Sequence, residues 1–372
     1  MSPAEPGSGH ARLSIDIAAA IWNYNEIRRR IGRAEAAAVV KADAYGLGAD
    51  VLSPAFLAAG CRTFFVATPE EGFTLRAALP PSPAATLYVL HGLAGAAAKT
   101  LDEAGLTPVL SSPEDLAKAR AYAKARGKPL SAALHFDTGM NRLGLDADGN
   151  GPDLTGLTPT LLMSHLAVAD EPEHPLNARQ RDRFEALRGR FPGVRASLSG
   201  SAGVLLGSPY HYDLVRPGIA LYGGNPAKAG PNPFKAVARL EAPILQCREV
   251  AAGESVGYGA SYRTERATRV ATLGIGYADG YLRSLGNRGA VMLGGQSAPV
   301  IGRISMDLIT VDVTDTPPAL SRPGQFAELM GEALTLDALA EAAGTANYEI
   351  LTRLGQRLAR RYPPPASATG PA

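Results

Sequence analysis

A repeated rhythm constrains this chain more than any single residue: between about residues 13 and 222 a short apolar run gives way to a helical pattern roughly eight times. The runs lie in AAAVVK, RTFFVAT, ATLYVLHG, TPVLSS, LSAALHF, TPTLLMSHL, RASLSGS and YDLVRPGIALYG. Clear helical patterns sit between them, among them VLSPAFLAAG, PEEGFTLRAAL, PEDLAKARAYAKARG and NARQRDRFEALRGRF. Strands that alternate with helices pair in parallel, because each crossover returns the chain in the same direction with a right-handed sense. About eight such units in roughly 220 residues predict a closed (β/α)8 barrel.

The rhythm stops at GGNPAKAGPNP, residues 223–233, a Pro- and Gly-rich run that reads as a linker. Beyond it come short β-type runs such as VARLEAPILQCREVAAG, TRVATLGIGYADG and SAPVIGRISMDLITVDVT, separated by Gly, Asn and Asp turns. The predicted organisation is a barrel over residues 1–232 and a C-terminal, mostly β domain over residues 233–372, with a strand near 12–17 packing with the second. A last helix-like piece runs from LDALAEAA to RLARRY. The Pro-, Gly- and Ser-rich residues 1–11 and the Pro/Ala/Ser tail read as disordered.

Composition narrows the function. A formal net charge of +2 provides no electrostatic footing for nucleic acid or an anionic membrane, and 46% hydrophobic with 19% charged residues describes a soluble globular chain. Cys61 and Cys247 lie far apart without a CxxC pair, which suits free thiols in a reducing compartment. The N-terminus lacks a basic-then-apolar signal pattern, and no run approaches the ~20 apolar residues of a membrane span, so a cytoplasmic location is expected.

Within the first strand run, AAAVVKADAYGLGA, one lysine ends a continuous apolar stretch and enters a glycine-flanked turn. The C-terminal end of a barrel strand is where such folds build active sites. Burial there disfavours the ammonium form of Lys41, so its amine becomes available as a nucleophile towards an aldehyde, while Tyr45, Gly46 and Gly48 shape the following loop. A lysine that snorkels from a strand end is the competing interpretation.

Six further motifs follow VVKADAYGLGA in order: DTGMNRLG, VRPGIALYGG, VGYGASY, IGYADGY, IGRISMD and NYEILTRL. Together they resemble the alanine racemase family over about residues 12–362. The resemblance implies a pyridoxal 5'-phosphate enzyme built from a barrel and a β domain, acting as a homodimer with shared active sites. It implies interconversion of L- and D-alanine by two bases, supplying D-alanine for peptidoglycan. Lys41 matches the lysine that carries the cofactor and serves as one base; Tyr258, contributed by the partner subunit, matches the base on the opposite face. An unperturbed phenol has a pKa of ~10, so that role calls for cationic or hydrogen-bonded company. Arg216 matches the arginine facing the ring nitrogen, to which a guanidinium can only donate. His165 matches the histidine beside the ring. Tyr45, Ser201 and Tyr348 match hydroxyl donors to the phosphate, with the backbone amides of Gly218 and Ile219 as its cradle. Arg142 and the amide of Met306 match the substrate carboxylate contacts, Asp307 stands beside Met306, and Tyr277 matches another tyrosine contributed across the interface to the site entrance.

Four positions depart from the family pattern. His135 stands where a carbamylated lysine often orients the carboxylate arginine, and an imidazole forms no such stable anion. Ser305 stands where cysteine is usual, and Ser197 and Gly200 replace a histidine and an asparagine. The cluster Asp170, Glu171, Glu173 and His174 lacks the helical spacing of metal ligands, and no metal is expected. The rival functions are a racemase of other or broader amino-acid range, a non-catalytic pyridoxal-phosphate-binding barrel and a related decarboxylase. A carrier has no need of a second base, and a decarboxylase typically keeps a cysteine near its site.

Overall fold

The protein is described by a computed structural model covering residues 10–81, 85–149 and 151–364. By its contacts the chain divides into two units, one of residues 20–221 and 225–234, the other of the described residues in 1–19, 222–224 and 235–372.

The larger unit is a ring of parallel strands. Ala38–Val39 pairs with Thr63–Val66, and pairing continues through Thr86–Val89, Leu106–Leu110, Leu130–Asp137, Leu157–Met163 and Ala196–Ser197. A parallel bridge between Gly200 and Arg216 carries the ring to Leu214–Val215, which pairs with Glu35–Ala36. Ala37 and Val39 donate to the carbonyls of Val215 and Pro217 at 2.9 and 3.0 Å, so Glu35–Ala36 and Ala38–Val39 form one stave. Eight staves thereby close, as the rhythm of the sequence predicts. Helices connect them: Ala49–Ala58, Pro69–Ala78, Ala98–Glu103, Pro113–Arg126 and Pro175–Arg188. Their starts follow from local chemistry; Thr68 accepts from Glu71 N and Ser112 from Asp115 N, with a proline opening each helix. The Pro- and Gly-rich run does not stand apart as a linker, because residues 225–234 group with the barrel and Lys228 pairs with Asp170 and Glu171.

The smaller unit is built on the 13-residue strand Ala238–Val250. Along its first half it pairs antiparallel with Arg12–Ile15 on one side and Phe326–Met330 on the other; along its second half it pairs with Thr268–Leu273. Arg12–Ile15 also pairs in parallel with Ala359–Arg361. Two local expectations are corrected here. Ala11 is buried, and its carbonyl accepts from Ala359 N, so order begins within the supposed lead-in; residues 1–9 and 365–372 lie outside the described residues. The last helix-like piece is two helices, Leu336–Ala343 and Asn347–Arg353, broken at Gly344 with φ 71°, and its end is a strand. Among the described residues no helix is long and apolar enough to cross a membrane, and no group of three or more His, Cys, Asp or Glu is placed to hold a metal ion.

Candidate active site

Lys41 follows the stave Ala38–Val39 and opens the helical turn Lys41–Gly46. That turn is left-handed: Ala42, Asp43, Ala44 and Tyr45 have φ of 51°, 55°, 51° and 59°. Such a conformation brings Cβ against the following carbonyl and costs about 1–2 kcal/mol per residue. Hydrogen bonds hold it. Ala44 donates to the Val40 carbonyl at 2.9 Å and Gly48 to that of Asp43 at 3.0 Å, while the Asp43 carboxylate accepts from Ala49 N at 2.7 Å. Burial pushes the Lys41 pKa down; the Arg142 guanidinium adds to the fall, and the Glu71 carboxylate opposes it.

Four more barrel staves deliver side chains at their C-terminal ends. Arg216, only 6% exposed, follows Leu214–Val215. Its Nη1 donates to Ser197 Oγ at 2.5 Å, and its Nη2 to the Ser164 carbonyl at 2.6 Å. Nη2 also lies 3.3 Å from His165 Nδ1. Because a guanidinium only donates, this contact leaves Nδ1 as the acceptor and places the imidazole proton on Nε2. Burial lowers the Arg216 pKa to about 10, which leaves it charged at neutral pH. His165, half-buried, is pushed down to about 3 by burial, then by Arg216 and Arg142. His135, on Leu130–Asp137, is pushed down to about 4 by burial, then by the same two arginines, against the opposing charge of Asp137. It is therefore neutral at physiological pH and does not replace the charge of a carbamate. Arg142 is exposed, on a loop whose start is folded by Asp137 Oδ1, which accepts from Gly139 N and Met140 N at 2.8 Å each.

Ser201 begins the short helix Ser201–Leu205, and its Oγ accepts from Gly218 N at 2.9 Å and Ala220 N at 3.3 Å. The Ser201 hydroxyl hydrogen remains to donate elsewhere. A Cβ on Gly218 would meet Tyr45 Oη at 2.2 Å, so only glycine lets this backbone lie against the tyrosine. Ile219 follows, fully buried, at the start of the 3-10 turn Ile219–Tyr222. Lys41, Tyr45, His135, Arg142, His165, Ser201, Arg216, Gly218 and Ile219 thus all belong to strand ends or following turns of one barrel.

The remaining candidates lie on the smaller unit. Tyr258, 72% exposed, starts the 3-10 turn Tyr258–Ala260, which closes the hairpin of Ser255–Val256 and Tyr262–Arg263. Tyr277, 44% exposed, and Met306, 53% exposed, are held together through their backbones. Tyr277 N donates to the Ser305 carbonyl at 3.1 Å and Ala278 N to that of Met306 at 3.0 Å. Arg357 spans the same two loops, 3.0 Å from Asp279 Oδ1 and 2.8 Å from Asp307 Oδ1. Tyr348 lies on the helix Asn347–Arg353.

Three contributors escape the sequence reading. Ser197 appears there only as a departure, yet it receives Arg216 and donates to the Leu214 carbonyl at 2.6 Å. Gln180, buried on Pro175–Arg188, donates to the His165 carbonyl at 2.9 Å and accepts from Ala167 N at 2.8 Å. Its position on the inward face of an amphipathic helix was a signal, but its partner was not. Glu71, on Pro69–Ala78, accepts from Ala42 N at 2.8 Å.

Residues 15–226 match the family domain described as alanine racemase, N-terminal domain, and residues 237–362 match alanine racemase, C-terminal domain. The alanine racemase of Rhodospirillum rubrum is 49% identical over 360 residues, which span 95% of this chain and 96% of that protein. That of Methylobacterium sp. (strain 4-46) is 47% identical, over 95% and 97%. The solved structure of the alanine racemase of Bartonella henselae with covalently bound pyridoxal phosphate is similar at a TM-score of 0.90 and 38% identity, covering 95% of this chain and all of that one. Both characteristic domains are present in order, and relatives align along nearly their whole length; the chain belongs to the alanine racemase family.

Proposed function

We propose that the protein interconverts L- and D-alanine with pyridoxal 5'-phosphate carried on Lys41. The observation that carries the proposal is the desolvated Lys41 amine, on a strained strand-end turn, with its pKa lowered beside Arg142. A neutral amine is what attachment to an aldehyde requires. The residues fit the cofactor. Gly218 presses its backbone against Tyr45 Oη where no Cβ fits, and Ser201 Oγ is bonded to the same glycine, so hydroxyls and main chain form the phosphate cradle. Ile219 and Tyr348 complete it by the family resemblance. When bound, the group supplies an electron-withdrawing ring that acidifies the substrate Cα.

The chain's own groups do the rest. Lys41 takes or returns the Cα proton on one face. Tyr258 of the partner subunit works from the opposite face, because a single base tends to return the proton to the side it left. Arg216 would donate towards the ring nitrogen and keep it unprotonated, and His165, 3.3 Å from Arg216 Nη2, would link it towards Tyr258 of the partner subunit. Arg142 and the Met306 amide hold the substrate carboxylate, with Asp307 steadying the latter loop and Tyr277 narrowing the entrance. The exposure of Tyr258, Tyr277 and Met306 on one unit supports a homodimer, since large apolar side chains left in water mark a surface that is covered in use. The product would supply D-alanine for peptidoglycan.

The test is racemisation by the purified protein in deuterated water, with alanine, serine and lysine as substrates. Inversion with deuterium at Cα, fastest for alanine, is expected. Deuterium wash-in without inversion would remove the second base, and faster turnover of serine or lysine would reassign the substrate.

A further inference from the structure

One carboxylate ties the left-handed turn to the neighbouring stave. Glu71 lies in the first turn of Pro69–Ala78, directly after Thr63–Val66. Its Oε1 accepts from Ala42 N at 2.8 Å and its Oε2 from Ala67 N at 2.7 Å. Ala42 is the residue immediately after Lys41 and the first to adopt the left-handed conformation. Charge-assisted bonds of this kind are roughly twice as strong as neutral ones, and here two of them converge on one side chain from two different strand ends. Glu71 is itself held in place, its own N–H donating to Thr68 Oγ1.

We propose that Glu71 is a positioning residue for Lys41: its carboxylate clamps the strained turn at Ala42 to the end of the second stave and so aims the lysine amine. The inference rests on Lys41 as the attachment residue. A second consequence is electrostatic. Burial, then Arg142, lowers the Lys41 pKa, and the Glu71 carboxylate opposes the fall.

The two effects separate experimentally. The full-length protein, freed of cofactor with hydroxylamine, is mixed with pyridoxal 5'-phosphate; the rate of adduct formation at Lys41 is followed against pH, with borohydride reduction and peptide mapping to identify the site. In Glu71→Gln the amide keeps one acceptor oxygen but turns an NH2 towards the other N–H. Attachment is expected to slow by about tenfold as the turn loosens. Its pH midpoint is expected to fall as the opposing charge is lost. Adding Ala42→Gly, which accepts a positive φ without strain, restores the rate but leaves the midpoint low. Glu71→Asp keeps the charge and shortens the reach, so it slows attachment at the wild-type midpoint; it also carries the test should Glu71→Gln fail to fold by circular dichroism. Wild-type rate and midpoint in folded Glu71→Gln, or a wild-type rate in Glu71→Asp, overturns the inference alone. No adduct at Lys41 in the wild-type protein overturns the cofactor assignment with it.

Discussion

Among the described residues, the buried Arg216 cation is met by neutral acceptors. Its described bonds go to a serine hydroxyl, to main-chain carbonyls and to an imidazole, and its guanidinium carbon lies 6.0 Å from the centre of the Phe65 ring. Removing one acceptor leaves a buried N–H unmet, at a cost of about 1–3 kcal/mol, so Ser197→Ala should lower stability by that amount in urea unfolding. The two depressed histidines predict a pH dependence. In the unfolded chain they titrate near 6.5; in the folded protein His135 does so at about 4 and His165 at about 3. Between these values the unfolded chain binds more protons, so their contribution is fully present above about pH 6.5 and declines as pH falls towards 4 and then 3, at about 1.4 kcal/mol per unit for each group. Unfolding midpoints at pH 7 and pH 5 should therefore diverge in the wild type, and His135→Gln should narrow the gap.

At the scale of elements, the barrel places its chemistry where strands end and the chain must turn. The Lys41–Gly46 turn and the loop after Leu214–Val215 meet at Tyr45 and Gly218, and their separation is set by the missing Cβ. Gly218→Ala has no unusual φ to satisfy, so its effect is steric alone: it must displace Tyr45. Cofactor affinity is expected to fall by at least about tenfold by equilibrium dialysis, while Lys41 still forms a reducible adduct. Unchanged affinity would mean that Tyr45 and Gly218 do not form the phosphate cradle. The helix Pro175–Arg188 acts at one remove, its Gln180 holding the main chain on both sides of Leu166.

For the whole molecule, the proposed partition of bases between subunits has a direct signature. A Lys41→Ala protomer and a Tyr258→Phe protomer are each expected to be inactive as homodimers. A heterodimer of the two regains one complete site and loses the other. Refolded together in equal amounts, so that half the dimers are mixed, they should recover about a quarter of wild-type racemase activity. Sedimentation on the same samples confirms the assembly; no recovery in mixed dimers would place both bases in one chain.

The order of strand and helix, the closed barrel and the change to β structure were legible in the sequence because hydrophobic periodicity is local and repeats. Lys41 was legible for the same reason, as the one amine at the end of a continuous apolar run. The left-handed turn after it was not, since alanine avoids positive φ and Ala42 and Ala44 carry no turn signal of their own. The carboxylate that receives the Ala42 N–H belongs to Glu71, nearly thirty residues away. Ser197 stands at the position of a family histidine, and only the fold brings Arg216, from the next stave, onto its hydroxyl. Local propensity and pattern are written along the chain; hydrogen bonds between strand ends, and the burial that shifts a lysine or a histidine, exist only when the ring has closed.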